Sequence, residues 1–578
     1  MKTKREKRSL WKNFLRFYTR FPIPWWLYII SMACGLLATC ITLQLNEYII
    51  AINKGELFNR VLIGYAVWTM ITAAVTVVRN MTTAYANQKL IYRARSVLWR
   101  KILYLPLRAF HKEAPYGMVS SITNEVPQAS TTIDMLTLFI SSVYGFAGSI
   151  IVLVEYNATL LMYMLTLIPL AVFQFWAIGK LQFYMNKRKF SALNSMTAFF
   201  AEHLKCAKQV KANAMEEQEI EAGLKIIDQQ FKADLLYGIL MSVQTLINSV
   251  YQTLYTVLIA VFGSHMILAG QMSADGILTF RTYWTTQDKY LSEMLAHYQA
   301  IKGTQGSLEK VCDVLAQEEE QPNANPEISY TPGDIVLERV FFSYEPDQPV
   351  LENVCCVIPY GKTVAVIGGN GSGKTTLFKL LIGLYQPQDG RIYLRGNETE
   401  KQNLSQWRKQ FGYVSQSAPL FSGTIRDNIH YGISENKSEE ELDELCRIVN
   451  LTEVLAEKEN GLDEELGEAG NRLSGGQRQR VAIARAMAGN PAYLLLDEAT
   501  SQLDAVNDRV IEAGVTKFMA GKSMIFIAHN MDSARRADQI ILLDKGKLID
   551  MGTDAELNAR CALYREMVQL QEGGVQHA

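Results

Sequence analysis

Gly368-Gly369-Asn370-Gly371-Ser372-Gly373-Lys374-Thr375 decides the fold of the chain's second half. It fits the pattern G-x-x-x-x-G-K-[ST], in which small residues let backbone N–H groups close around phosphate oxygens at the start of a helix. Gly368, Asn370, Gly371 and Gly373 are expected to form the cradle, with Thr376 in the helix behind it. Lys374 is expected to reach the outer phosphates and Thr375 to ligate Mg²⁺. A dinucleotide-binding turn is also glycine-rich, but the Lys-Thr pair argues against it. The context agrees: Thr363-Val364-Ala365-Val366-Ile367 reads as a buried parallel strand, and Leu377-Phe378-Lys379-Leu380-Leu381 as the helix that follows. Further on, Leu494 to Leu496 read as a second apolar strand ending in Asp497 and Glu498. The two acids suit different work, Asp497 in the Mg²⁺ shell and Glu498 as the general base that orients water.

Between these elements lies Leu473-Ser474-Gly475-Gly476-Gln477. With it the sequence resembles the ATP-binding cassette (ABC) transporter family, whose signature it matches without a departure. The resemblance implies that Ser474, Gly475, Gly476 and Gln477 meet the γ-phosphate of ATP held by a second cassette, at a helix N-terminus whose free donors favour an anion. One chain carries one cassette, so a dimer is implied, either a homodimer or a heterodimer with a second half-transporter. Other positions follow from the same likeness. Tyr344 resembles the aromatic that stacks on adenine, and Gln416 the glutamine that contacts Mg²⁺ and water. Asp504 resembles the loop residue that couples the two sites, although Gln502 departs from the usual alanine, and His529 resembles the histidine that senses the γ-phosphate. Glu465 to Gly470 resemble the segment that meets the opposing coupling helix. Since every catalytic position is filled, the cassette is expected to hydrolyse ATP.

Composition divides the chain. Its 578 residues carry 57 Lys and Arg against 58 Asp and Glu, a formal net charge of −1, which gives no case for nucleic-acid binding. The eight cysteines have no zinc-type spacing and read as reduced thiols. In the first half, Trp25 to Asn46, Val61 to Val78 and Met135 to Val154 lack charge. Tyr156 to Gly179 follows after Glu155 alone, and Leu235 to Leu268 has only His265. These five runs are long enough to cross a bilayer, which excludes a soluble ABC ATPase. The loops 79–134 and 180–234 and the N-terminus are rich in Lys and Arg, so they are expected on the cytoplasmic side with the cassette. The basic start and first apolar run imitate a signal peptide, but the run is too long for one and lacks a clear cleavage site.

The long loops carry helical periodicity, which resembles the exporter-type (type IV) architecture with its coupling helices. Phe110 to Gly117, with Thr123 to Val126, resembles the first coupling region and Lys211 to Glu217 the second. The implied fold is an all-α transmembrane domain of six helices with long cytoplasmic extensions, fused to an α/β P-loop nucleotide-binding domain. Its expected boundaries are 1–316 for the membrane domain, 317–334 for an acidic, proline-bearing linker, 335–570 for the cassette and 571–578 for a disordered tail.

The sixth helix sets hydropathy against this template. Gly276 to Tyr298 contains Arg281, Asp288, Lys289, Glu293 and His297. Each would cost about 2.5–3.5 kcal/mol facing lipid at mid-bilayer, so they are expected to face water or one another. At about 100° per residue, Arg281, Thr285, Asp288, Ser292 and Gln299 share one stripe. Gln244, Asn248, Tyr251 and Tyr255 form another on the fifth helix. Together they suggest a pathway for a polar, charged or zwitterionic cargo, a small molecule or a peptide. The competing interpretation is a set of polar contacts holding protomers together. The resulting expectation is an ATP-driven exporter in a bacterial inner membrane. Two alternatives are an importer of metal-chelating small molecules on the same fold and a nucleotide-gated channel or regulator.

Overall fold

The computed structural model describes residues 18–19, 21, 23–53, 58–112, 115–166, 168–320, 331–346, 348–394, 397–398, 403–433, 435–499, 505–528 and 530–575. These fall into two compact units, one of Met1–Leu103 with Pro115–Gln317 and the other of Tyr104–Ala114 with Glu318–Ala578.

The first unit is helical: α1 Trp25–Asn53, α2 Phe58–Leu103, α3 Val126–Leu165, α4 Ile168–Lys205, α5 Glu216–Leu268, α6 Ala274–Gly303 and α7 Gln305–Ala316. Among the described residues, four stretches are long and apolar enough to cross a membrane: Trp25–Ile52, Arg60–Leu103, Gly117–Glu155 and Glu216–Leu268. The fourth apolar run of the sequence, 156–179, is not one helix. The backbone leaves helical geometry at Asn157, whose side chain accepts from Leu160 N at 3.0 Å and caps a fresh helical stretch. That stretch ends at Leu165, and α4 begins at Ile168 with Pro169 in its first turn, where the missing N–H costs nothing. By contrast α6 is continuous across its charges for 30 residues. One of its faces is buried through Phe280, Tyr283, Trp284, Gln287 and Tyr290, so packing overrides its poor hydropathy.

With 53 residues, α5 is about 80 Å long, against about 30 Å of hydrocarbon. The remainder extends beyond the bilayer, beside α4. Polar contacts run along this pair: Gln174 to Asn248 at 2.7 Å, Lys189 to Asp234 at 3.2 Å and His203 to Glu219 at 3.2 Å. The turn between the helices holds the second coupling region, a short helix Ala207–Ala212 followed by Ala214 at φ 50°. In the first coupling region, Leu107–Lys112 and Pro115–Ser120 are helical, and Ser121–Glu125 forms a π-helical turn into α3. Glu113 and Ala114 lie outside the described residues.

The second unit is the cassette. A four-stranded antiparallel sheet has the order β2-β1-β4-β5, from Gln348–Ile358, Ile335–Glu345, Asp389–Leu394 and Asn397–Glu398. A six-stranded sheet has the order β10-β9-β3-β8-β7-β6, from Lys547–Gly552, Gln539–Asp544, Thr363–Ile367, Ser523–Ile527, Tyr493–Asp497 and Phe411–Val414. All its pairs are parallel except β10 with β9. Val364 to Val366 and Tyr493 to Leu495 are fully buried, which is why both strands read as unbroken apolar runs. Each buried Val or Leu among them contributes about 1.5–3 kcal/mol by leaving water.

Leu107 packs against the core between the sheets, within the same unit. Glu320, in the stretch read as a linker, is not simply solvated. Arg408 grips its carboxylate with two N–H donors at 2.9 and 2.6 Å, and its own N–H donates to Tyr104 O at 2.7 Å. The last helix, Ala562–Val575, runs into the stretch read as a tail from 571.

Candidate functional site

The site sits at the carboxyl ends of the parallel strands, where open α/β sheets present their loops. Out of β3 the chain turns through Gly368 at φ +151° and Gly373 at φ +98°. A Cβ on Gly368 would lie 2.0 Å from Leu543 O, and one on Gly373 would lie 2.6 Å from Leu351 Cδ2, so only glycine lets the loop lie this close to its surroundings. Gly369, Asn370 and Gly371 remain exposed along the loop, and the helix Lys374–Leu381 begins at its end. Lys374 Nζ donates to Gly368 O at 2.8 Å and Gly369 O at 2.9 Å, curled over the cradle. Burial holds its ammonium below the ordinary value, while the Glu498 and Asp497 carboxylates pull the other way.

Asp497 ends β7, two strands from β3 in the sheet. Thr375 Oγ1 donates to its Oδ1 at 3.2 Å and Tyr413 Oη to its Oδ2 at 3.4 Å. Burial pushes the Asp497 carboxyl up, against the hydrogen bond from Thr375, and the neighbouring Glu498 charge adds to that push. A buried carboxylate beside a hydroxyl offers hard oxygens to a small divalent cation. Among the described residues no group of three His, Cys, Asp or Glu could hold a metal on its own. The donor set therefore fits an ion that shares its shell with phosphate oxygens, the usual arrangement for Mg²⁺.

Glu498 follows in the left-handed region at φ +54°, a conformation that an L-residue keeps only when its surroundings impose it. Gln416 Nε2 donates to its Oε2, and Gln479 Nε2 donates to its carbonyl oxygen at 3.2 Å. Gln479 is 1% exposed. It ties the helix Gly475–Ala488 to Glu498, a contact the sequence reading missed; its position two residues beyond Gln477 was the available clue. That helix is closed by a capping box: Ser474 Oγ accepts from Gln477 N at 3.3 Å, and Gln477 Oε1 accepts from Ser474 N at 2.9 Å. Ser474 stays exposed, and Gly475 and Gly476 start the helix bare of side chains.

Tyr344 stands edge-on to Phe342 and Tyr385, at centroid distances of 5.0 and 5.4 Å. Its hydroxyl lies 3.2 Å from Thr376 Oγ1, and Lys379 Nζ lies 5.5 Å from its ring centroid. At 37% exposure the ring keeps open surface beside the phosphate loop. Asp504 and His529 lie outside the described residues, so the cassette's described constellation is Tyr344, the loop, Gln416, Ser474 to Gln477, Asp497 and Glu498.

In the helical unit the two polar stripes do not form one face-to-face pair. Gln244 accepts from Gln182 and Asn248 accepts from Gln174, both on α4. Gln299 also leans toward α4, where a Cβ on Gly179 would lie 2.9 Å from its Nε2. Only Tyr251 and Tyr255 turn toward α6; their hydroxyls bond each other, and Tyr255 lies 4.6 Å from Trp284. Asp288 sits there, within hydrogen-bonding reach of Gln252. Arg281 and Thr285 are exposed, with Thr285 Oγ1 donating to Arg281 O at 2.9 Å, and Ser292 is half-buried. The mismatch arises because a helical wheel assigns residues to a face but cannot say which neighbour that face meets.

Comparison with known proteins agrees with this architecture. Residues 351–501 match the ABC transporter family, and residues 26–287 match the ABC transporter transmembrane region. An uncharacterized ABC transporter ATP-binding protein of Bacillus subtilis, YfiB, is 30% identical over 515 residues, which is 87% of this chain and 88% of that protein. A multidrug resistance ABC transporter ATP-binding and permease protein of Lactococcus lactis is 25% identical over 577 residues, covering 98% and 96%. The fold is that of a bacterial Atm1-family ABC exporter solved with ATP bound, at TM-score 0.81 and 22% identity, over 94% of this chain and 97% of that one. The chain therefore belongs to the ABC transporter family, as a multi-pass membrane ATPase that joins a transport domain and an ATP-binding cassette in one polypeptide.

Proposed function

We propose that this chain is half of a homodimeric exporter that moves a polar or charged small molecule or peptide out of the cytoplasm by alternating access. The observation that carries this reading is the set Lys374, Thr375, Gln416, Asp497 and Glu498, converging in a cassette fused to bilayer-length helices. Tyr344 stacks on adenine, the loop residues Gly368 to Gly373 receive the phosphates, and Lys374 leaves the loop carbonyls to bind them. Thr375 and Asp497, with Gln416, would hold Mg²⁺, which would supply charge neutralisation at the phosphates. Glu498 orients water and takes its proton. Ser474 to Gln477 cover the γ-phosphate of ATP on the partner; the roles of Asp504 in coupling the two sites and His529 in sensing the γ-phosphate rest on their motifs in the sequence. ATP bridges closed cassettes better than separated ones, so it biases the linked helices toward the outward-open state, and hydrolysis resets them.

The test is ATP turnover by the full chain in lipid nanodiscs and uphill flux in vesicles, with Glu498→Gln as the blank. Turnover absent from the blank, with cargo moved away from the cassette side, is the expected result. Accumulation toward the cassette side would make it an importer, and flux that never runs uphill would make it a channel. Turnover no higher than the blank would point to a required second subunit. Once a cargo is in hand, Arg281→Ala and Asp288→Ala are each expected to abolish its stimulation of ATP turnover. Full stimulation in both variants would return the α6 stripe to a purely structural role.

A further inference from the structure

Gln479 stands where its chemistry is out of place. The other residues that the helix Gly475–Ala488 buries are all apolar: Val481, Ala482, Ile483, Ala484, Met487 and Ala488. Gln479 is 1% exposed among them. A buried amide costs free energy unless its hydrogen bonds are made, and a methionine of nearly the same shape would carry no such cost. Among the described residues, Oε1 of Gln479 has no hydrogen-bond partner. The side chain makes one polar contact instead, Nε2 donating to Glu498 O at 3.2 Å. That contact is what an amide can supply here and an apolar side chain cannot.

It also falls where the backbone most needs support. β7 pairs with β8 as far as Asp497 and Ile527, so Glu498 is the first residue beyond the sheet. There it adopts φ +54°, which an L-residue other than glycine keeps only against a steric penalty. The strand ends on one side of its Cα, and Gln479 holds the peptide on the other. Together they fix the direction in which the Glu498 side chain leaves the chain. At the far end of that side chain, Gln416 Nε2 donates to Oε2. Three residues beyond Gln416, the Pro419 carbonyl accepts from Arg485 Nη2 at 2.9 Å, and Arg485 lies on the same helix as Gln479. One helix therefore braces both members of the Gln416–Glu498 pair.

We propose that Gln479 is a positioning residue for ATP hydrolysis, setting the backbone from which the Glu498 carboxylate reaches the attacking water. The inference rests on the reading of Glu498 as the base, and it gives Gln479 an effect through Glu498 alone. A misplacement of about 1 Å in a reacting group costs turnover on the order of a hundredfold. ATP binding is spared, because it belongs to the phosphate loop.

The test is ATP turnover by the full chain in nanodiscs, measured beside the binding of labelled ATP. Gln479→Met keeps the length and the burial and removes the donor. It is expected to lower kcat at least about tenfold while KM and ATP affinity stay within about twofold. If Gln479→Met does not fold, Gln479→Asn takes its place with the same expectation, since its amide is one methylene too short to reach Glu498 O at hydrogen-bonding distance. In single turnovers on the Glu498→Gln background, the same substitution should change the residual rate less than about twofold, because the base it places is already gone. A residue that only supported the cassette would slow both backgrounds equally. Turnover within about twofold of the unaltered protein overturns the proposal, as does an equal fall in the two backgrounds or a loss of ATP affinity large enough to account for the fall. The reading of Glu498 as the base fails separately, by Glu498→Gln keeping more than about a tenth of turnover with residue 479 unaltered.

Discussion

Glu498→Gln is expected to lower ATP turnover at least about a hundredfold, the lower end of what a positioned general base contributes, while ATP still binds. The substitution is nearly isosteric, and the backbone that strains residue 498 into the left-handed region is unchanged. Gln479 still donates to the residue's carbonyl, and Gln416 can turn its amide to meet the new one. What disappears is a carboxylate able to accept a proton from water. The expected signature is therefore split: retention of labelled ATP by the cassette, an unchanged unfolding temperature and almost no phosphate release. A variant that keeps more than about a tenth of wild-type turnover would remove Glu498 from the role of base, since a lost base costs more than that. Cargo flux should fall in proportion, because nothing then resets the closed state.

How much of this was legible in the sequence depends on whether a feature is local. The phosphate loop, its flanking strand and helix, and the acids at the end of β7 are contiguous segments with fixed spacing, and the structure places them together at the end of one sheet. The adjacency of β7 to β8 and β8 to β3, which carries Asp497 to Thr375, is not written in any one segment; it follows from parallel pairing across more than a hundred residues. Gln479 was missed for the same reason, because its partner is a backbone oxygen 19 residues away in the chain. In the membrane half, periodicity found the polar face of α5 but not the neighbour that face meets, since α4 takes Gln244 and Asn248 while α6 meets Tyr251 and Tyr255. Hydropathy alone also misjudged continuity. Apolar residues on either side of Thr166 look like one span, and only the cap at Asn157 and the restart before Pro169 show where helices end.

Ser474→Arg is expected to stop turnover without preventing ATP binding, and the contrast with Lys374→Ala locates the signature in the partner's site. Lys374 stands over the phosphate cradle of its own chain, so its removal should weaken ATP binding directly. Ser474 serves its own chain only as a helix cap, within a capping box and facing solvent. Losing that cap costs about 1 kcal/mol of local stability. A hundredfold loss of turnover corresponds to about 2.7 kcal/mol, more than the cap supplies; under the proposed sandwich, the excess comes from the blocked phosphate contact across the dimer. Ser474→Ala separates the two effects, because it removes the cap and the hydroxyl but adds no bulk where the partner's phosphate belongs. Ser474→Arg should also prevent ATP from joining two cassettes that carry Glu498→Gln, read as a loss of ATP-dependent dimers of the closed state. If Ser474→Arg instead abolished ATP binding as Lys374→Ala does, the signature would belong to the site on its own chain, and closure over two shared nucleotides could not drive the membrane helices.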